Sequence, residues 1–306
     1  MDVSLETPPA AVHRAQLNRG YTIAITGVLL WSTTGIFISY LLKNFPLTPL
    51  TLAFWRNVFT TGALGIGLWV FRRDTLHVER RDRWFLLLYG VALTLMNTLW
   101  TYSVALNGAA VSTVLVYASP GITVIAARIF FTERLSFVRI IAIAGSLIGC
   151  VLVAGAYDPA QWNVNAGGIV VGILSAFSFT FYSLMGKGSF QRGINSWTAT
   201  LSAFAVATVG LAFTQNSGTL LSLGGHVDGW LVLFILAVIP TLGGFGLYTA
   251  SLAYLPAGTA NLIATLEPAL TTILAFILLN ESLSAIQLLG GALIIGSVVS
   301  LRAKER

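Results

Sequence analysis

Read for polarity alone, the chain is a series of long apolar runs separated by short polar or Pro/Gly connectors. A hydrocarbon core about 30 Å thick takes about 20 helical residues to cross. Ten segments reach or approach that length: 20–42, 50–71, 84–106, 110–132, 136–155, 166–187, 196–214, 229–254, 258–279 and 284–302. The connectors include Asn44 to Pro49, Asn107-Gly108, Thr132-Glu133-Arg134, Pro256-Ala257-Gly258 and Asn280-Glu281-Ser282. Connections this short make consecutive helices antiparallel neighbours. A membrane β-barrel is excluded, because its strands are about 10 residues of alternating polarity and these runs are long and continuously apolar. The pattern predicts an all-α integral membrane protein with ten transmembrane helices. The first run begins at Tyr21, and residues 1–20 mix Asp2, Glu6, Pro8, Pro9, Arg14 and Arg19 without an apolar core. It therefore reads as a spanning helix and not as a cleavable signal.

The pattern also repeats. A shift of 148 residues (268 minus 120) lays Pro120 on Pro268 and Glu133-Arg134-Leu135-Ser136 on Glu281-Ser282-Leu283-Ser284. Thr101, Ser103, Ala105, Ala109, Thr123, Ile125, Ala127 and Ile129 meet identical residues without a gap. The register pairs helices 3, 4 and 5 with 8, 9 and 10. Earlier helices match more weakly, through Gly27-Val28-Leu29 and Gly172-Ile173-Leu174. An offset of five helices inverts the second copy, and inverted repeats with a midplane substrate site are a hallmark of secondary transporters. The expected architecture is two inverted five-helix repeats around a central cavity.

Composition and charge fit this reading. Hydrophobic residues are 56% of the chain and charged residues 9%, against about 25% charge in soluble domains. The mean hydropathy is +0.83. The net charge of +6 needs no nucleic-acid partner, because basic residues collect in cytoplasmic loops. Arg14 and Arg19, the Arg72–Arg83 loop, Arg134 and Arg139, Lys187 and Arg192, and Arg302, Lys304 and Arg306 all fall on one side of a ten-span chain. The other side has little beyond Lys43. The positive-inside rule then puts both termini in the cytoplasm. The lone Cys150 allows no internal disulfide.

Several strings carry a family resemblance. Tyr254-Leu255-Pro256-Ala257-Gly258, Leu266-Glu267-Pro268, Asn280-Glu281-Ser282-Leu283 and Gly290-Gly291-Ala292-Leu293 resemble the EamA-type half of the drug/metabolite transporter superfamily. Leu30-Trp31-Ser32, Phe54-Trp55-Arg56, Ser119-Pro120 and Thr132-Glu133-Arg134-Leu135 form a looser first copy. The Leu-Trp-Ser-Thr start at Leu30 also resembles bacterial aromatic amino-acid exporters. The resemblance implies ten helices in two inverted bundles and export of small metabolites, often amino acids. Its relatives also handle drugs, sugars and nucleotide sugars.

Soluble-enzyme chemistry is missing. The sequence has no phosphate-loop lysine motif, no Gly-x-Ser-x-Gly and no His-Glu-x-x-His. His13, His77 and His226 lie outside the ten segments. No cofactor and no metal are expected, and an enzyme is not. Away from the ends of the segments the embedded charges are few: Arg56, Arg128 and Glu267. Such residues cost at least about 2.5–3.5 kcal/mol to insert and mark function by default. Arg128 lies a turn from a helix end and fits snorkelling. Arg56 suits either an ion pair or an anionic group of a substrate. Glu267 sits mid-helix. It suits either a buried carboxyl that fixes the bundle or a carboxylate on the substrate path, with substrate-amine recognition and proton coupling both open.

Pro268 and Pro120 leave the Ala264 and Val116 carbonyls without helical donors. Paired kinks in corresponding positions point at a shared cavity. Pro240 adds a third flexible point. The repeat register pairs Trp100 with Tyr248 and Thr101 with Thr249, an aromatic-plus-hydroxyl pair suited to an amphipathic substrate. With Asn97, Ser119 and Ser32 these complete the cavity candidates. Gly145-x-x-x-Gly149 and Gly168-x-x-x-Gly172 predict close helix packing.

The expected organisation is a cytoplasmic tail at 1–19, a first repeat at 20–155, an extracytoplasmic linker at 156–165, a second repeat at 166–302 and a tail at 303–306. The expected function is a secondary transporter or facilitator, exporting small amphipathic metabolites such as amino acids across the inner membrane. Exporters of drugs, sugars or nucleotide sugars and a non-transporting scaffold are the alternatives. The expected partners are a small-molecule substrate and the lipid bilayer, and a monomer is compatible with the chain.

Overall fold

A computed structural model describes residues 10–133, 135–158, 165–279 and 282–305. Arg134, Asn280, Glu281, Arg306, the start of the N-terminal tail and 159–164 of the linker lie outside the described residues. Among the described residues the chain is helical and without strands. The helices are α1 (Ala10–Trp31), α2 (Thr34–Asn44), α3 (Pro49–Phe71), α4 (Arg83–Val116), α5 (Ser119–Phe131), α6 (Phe137–Val153) and α7 (Ala166–Gln191). They continue with α8 (Ser196–Ala212), α9 (Ser217–Leu220), α10 (Val227–Leu236), α11 (Gly244–Ser251), α12 (Ala257–Ala264), α13 (Leu266–Leu279) and α14 (Ala285–Glu305). Seven described spans are long and apolar enough to cross a membrane, and Ser119–Phe131 and Ser196–Ala212 are shorter apolar helices. The 23-residue α3 packs among them.

Local sequence explains the starts and the interruptions. Thr48, Ser136, Asn165 and Asn195 each cap a helix by accepting a backbone N–H within the next three residues. The run 20–42 is broken at Ser32-Thr33, and its helix begins earlier, at Ala10. The run 258–279 breaks at Thr265, three residues before Pro268, and α5 starts at Ser119-Pro120 after a break at Tyr117-Ala118. At Pro240 the chain widens into a π-turn over Ala237–Gly243. Proline removes the donor for the Leu236 carbonyl, and Thr241 Oγ1 donates to that oxygen at 2.8 Å. In α4, Gly108 has φ 78° and ψ 164°, a conformation that favours glycine. There the helix folds back on itself: Ser103 Oγ donates to Ser112 Oγ at 2.8 Å, although nine helical residues would span about 13 Å.

The two halves touch reciprocally under the 148-residue shift. Thr123 bonds Thr180, and the shifted pair Thr271 and Ser32 is also bonded, Thr271 Oγ1 to the Ser32 carbonyl at 2.9 Å. Gly20 abuts Leu255, and Gly168 abuts Asn107. These contacts carry the same register into the first helix of each half. The Gly27/Gly172 match, which implies a shift of 145, is thereby corrected to 148. The glycine expectation holds at α6 and α14: a Cβ on Gly149 would lie 2.6 Å from the Gly290 carbonyl oxygen. Gly149→Val should therefore destabilise the fold by about 1–3 kcal/mol. Gly62→Ala, which meets nothing within 4 Å, should be neutral or mildly stabilising. Thermal unfolding in detergent checks both.

Candidate functional site

A chamber of about 110 Å³ lies inside the bundle. Arg56 of α3, Asn97 and Trp100 of α4, Tyr117 of the α4–α5 break and Glu267 of α13 contribute to its wall. Trp31, Phe179 and Phe245 supply an aromatic floor, with Trp31 stacked obliquely on Phe245 at 4.3 Å between centroids. The breaks matter here. Releasing the backbone at Tyr117 and Thr265 lets Tyr117 and Glu267, from two different hairpins, meet at one point. The Tyr117 hydroxyl donates to Glu267 Oε2.

Arg56 is buried. Its Nη2 donates to Asn97 Oδ1 at 3.1 Å, and among the described residues its Nε has no hydrogen-bond partner. The Asn97 side chain is held by donating in turn to the Leu93 carbonyl. Arg56 and Glu267 interact electrostatically but form no direct ion pair. A guanidinium and a carboxylate thus line one apolar-walled space. A buried ion without its full set of partners is costly, and the orphaned Nε leaves Arg56 short of one. Among the described residues no cluster of His, Cys, Asp or Glu could hold a metal.

The chamber communicates with a cleft of about 700 Å³, sharing Ile38, Arg56, Asn97, Trp100, Thr113 and Glu267. The cleft is lined at its mouth by Leu42, Thr48, Leu50, Ala105, Ala109 and Ala154. That is the end of the bundle opposite the Arg72–Arg83 connection. Thr101 and Pro268 line this cleft.

At the other end a groove of about 850 Å³ runs past Arg19, Arg72, Trp197 and Tyr254, but it shares no lining residue with the chamber and is closed off from it. Tyr248 and Thr249, the shifted counterparts of Trp100 and Thr101, are buried and do not line the chamber. The Tyr248 hydroxyl pairs with Ser183 Oγ at 2.6 Å, and Thr249 Oγ1 pairs with the hydroxyls of Tyr182 (3.0 Å) and Tyr89 (3.2 Å). Ser119 is equally buried and donates to Asn261 Oδ1, while Asn261 Nδ2 donates to Thr123 and Ser183. Ser32 is buried and turns its hydroxyl to the Leu29 carbonyl. So Tyr248, Thr249, Ser119 and Ser32 stand off the chamber, whereas Glu267, Asn97, Trp100, Thr101 and Arg56 line it or its cleft. Pro120 sits at the buried start of α5, beside the closed network. Arg128 points outward, as snorkelling requires.

One pair of contacts measures the difference between the ends. Gly258 packs so tightly on α5 that a Cβ would lie 2.3 Å from Val124 Cγ2. The counterparts of these two residues, Ala110 and Thr272, both line the open cleft.

Sequence reasoning missed Tyr117, Trp31, Phe179, Phe245, Tyr89, Tyr182 and Asn261. Asn261 had a legible signal, since it is an amide inside the apolar run after Gly258. Tyr117 had one too, three residues before Pro120. The others look like ordinary apolar-run aromatics.

The family model of the EamA-like transporter family matches residues 18–155 and again 166–302. An uncharacterized inner membrane transporter, YicL, of Salmonella typhimurium is 26% identical over 94% of this chain and 96% of its own length. An uncharacterized transporter of Archaeoglobus fulgidus is 25% identical over 92% of this chain and 95% of its own. A crystal structure 19% identical in sequence superposes with a TM-score of 0.78 over 93% of this chain and 96% of that one, which speaks for the fold alone.

The closed network makes a stability forecast. Thr249→Val removes the hydroxyl that two buried tyrosines share and should cost about 1–3 kcal/mol. Thr101→Val, in the open cleft, should stay within about 0.5 kcal/mol. Denaturation of the purified protein in detergent compares them.

Proposed function

The chain belongs to the EamA-like transporter family, and on that premise we propose that it carries small zwitterions, apolar amino acids above all, out of the cell. The observation that carries this reading is the pair Arg56 and Glu267, which share the wall of one aromatic-lined chamber without an ion pair. A substrate carboxylate satisfies the guanidinium, with Asn97 beside it. A substrate ammonium satisfies Glu267. The aromatic walls accept an apolar side chain. The Leu30-Trp31-Ser32-Thr33 string, which resembles the start of the aromatic amino-acid exporter YddG, agrees with this class, and Trp31 is part of the chamber wall. Sugars, nucleotide sugars and cationic drugs lack one or the other of the two charges, or carry more than the chamber balances.

The same reading takes ten helices as two inverted five-helix repeats, 20–155 and 166–302, joined by an extracytoplasmic linker at 156–165 and flanked by cytoplasmic tails. It places both termini inside and the chain in the inner membrane. The cleft then opens outward, and the tyrosine and hydroxyl network closes the cytoplasmic side. Transport proceeds by alternating access, with the breaks at Pro120, Pro240 and Pro268 as flexible points. Glu267 is the candidate for proton coupling.

Uptake into proteoliposomes tests the proposal with a panel of aromatic and aliphatic amino acids, sugars and cationic drugs. Amino-acid flux should appear, and Arg56→Met and Glu267→Gln should each weaken apparent affinity by about 10-fold to 100-fold. Flux confined to sugars or to cationic drugs would sink the substrate class, and no flux for any compound would favour a scaffold. For coupling, an imposed pH gradient should accelerate the wild type and leave Glu267→Gln unaffected. An equal response in both assigns a facilitator instead.

A further inference from the structure

At the closed end, three charged side chains converge on the α11–α12 turn. Lys187 of α7 donates from Nζ to the carbonyls of Leu252 and Leu255, both at 2.9 Å. Glu133, at the end of α5, accepts the Ala257 backbone N–H at 3.1 Å through Oε1. Arg139 of α6 lies 3.8 Å from Glu133 Oε2 and donates to Thr259 Oγ1 at 3.4 Å. The Glu133 and Arg139 side chains are only 14% and 9% exposed. The signs match the backbone: a cation meets the carbonyls that end one helix, and an anion meets the first N–H of the next. Glu133 and Lys187 also interact with each other. The turn is thereby tied to α5, α6 and α7 by charge-assisted hydrogen bonds, which are about twice as strong as neutral ones.

The counterpart turn at the open end lacks these cations. The 148-residue shift turns Lys187 into Ser39 and Arg139 into Gln287, while Glu133 becomes Glu281. Ser39, Val104, Ala105 and Ala109, the counterparts of Lys187, Leu252, Ala253 and Ala257, all line the open cleft. The α11–α12 turn is buried at Leu252, Leu255 and Ala257 where the cations are present, and its counterpart lines the cleft at Val104 and Ala109 where they are replaced.

We propose that Glu133, Lys187 and Arg139 form a latch on the α11–α12 turn that holds this end shut and biases the protein toward the cleft-open state. The proposal rests on the alternating-access reading above. The latch must yield once per cycle, so its members are positioning residues for transport and need not touch substrate.

Two matched reporters in a Cys150→Ala background test it: Val104→Cys in the cleft and its counterpart Leu252→Cys, which is buried. Reaction of each thiol with N-ethylmaleimide is timed in the purified full-length protein. Glu133→Ala and Lys187→Met should each speed modification of Leu252→Cys by about tenfold and slow that of Val104→Cys. Glu133→Gln, which keeps an acceptor for Ala257, should have a smaller effect and covers the case in which the alanine variant fails to fold. Ser39→Lys should slow Val104→Cys in a protein with an intact latch, and Ser39→Met should not. The latch is overturned if Leu252→Cys stays protected in Lys187→Met and Glu133→Gln while Ser39→Lys still slows Val104→Cys. Two reporters that quicken together would overturn alternating access itself, because one end would then open without closing the other.

Discussion

Arg56 and Glu267 are held in one apolar interior and kept from neutralising one another. In a low-dielectric setting opposite charges attract strongly, and the cost of leaving either without partners is high. The surrounding structure keeps them apart. Asn97 engages one edge of the guanidinium, Tyr117 engages the carboxylate, and Trp31, Phe179 and Phe245 wall the chamber that both line. The helix breaks at Tyr117 and Thr265 serve this arrangement. Without the breaks at Tyr117 and Thr265 the two hairpins would present their side chains in helical register, and Tyr117 and Glu267 would not meet.

The second constraint is that polar groups inside a membrane must find partners within the protein. The bundle meets it in two ways. At the closed end Tyr89, Tyr182, Tyr248, Thr249, Ser183 and Asn261 satisfy each other. At the open end four of the six equivalent positions, Gly35, Trp100, Thr101 and Thr113, line the cleft, where solvent can reach them. The same shifted positions therefore exist in two environments within one molecule. Reciprocal contacts such as Thr123–Thr180 and Thr271–Ser32 persist at both ends, so the difference lies at the turns and not in the framework.

The polarity pattern made the helical, membrane-embedded class legible, because long apolar runs with few charges have no other stable solvent. The register of the repeat was legible from Pro120/Pro268 and the Glu-x-Leu-Ser strings, and it extends into helices where identity has faded. Glu267 and Arg56 stood out because charge in such runs is rare. Family membership could be read from the strings around Glu267. Tyr117, Phe179 and Phe245 could not be recognised, since an aromatic residue in an apolar run looks the same whether it meets lipid, a neighbour or a cavity.

By itself, then, the sequence determined what each helix is made of, where it yields, and that the second half repeats the first. Only the tertiary structure decided which face of each helix turns inward. It separated Trp100 and Thr101, beside open space, from Tyr248 and Thr249, locked into hydrogen bonds. The physical reason is that two near-identical sequence environments can take opposite states when the groups that fasten them differ elsewhere. Lys187 and Arg139 are distant in sequence from the α11–α12 turn they hold, and Ser39 and Gln287 stand in their places in the other copy.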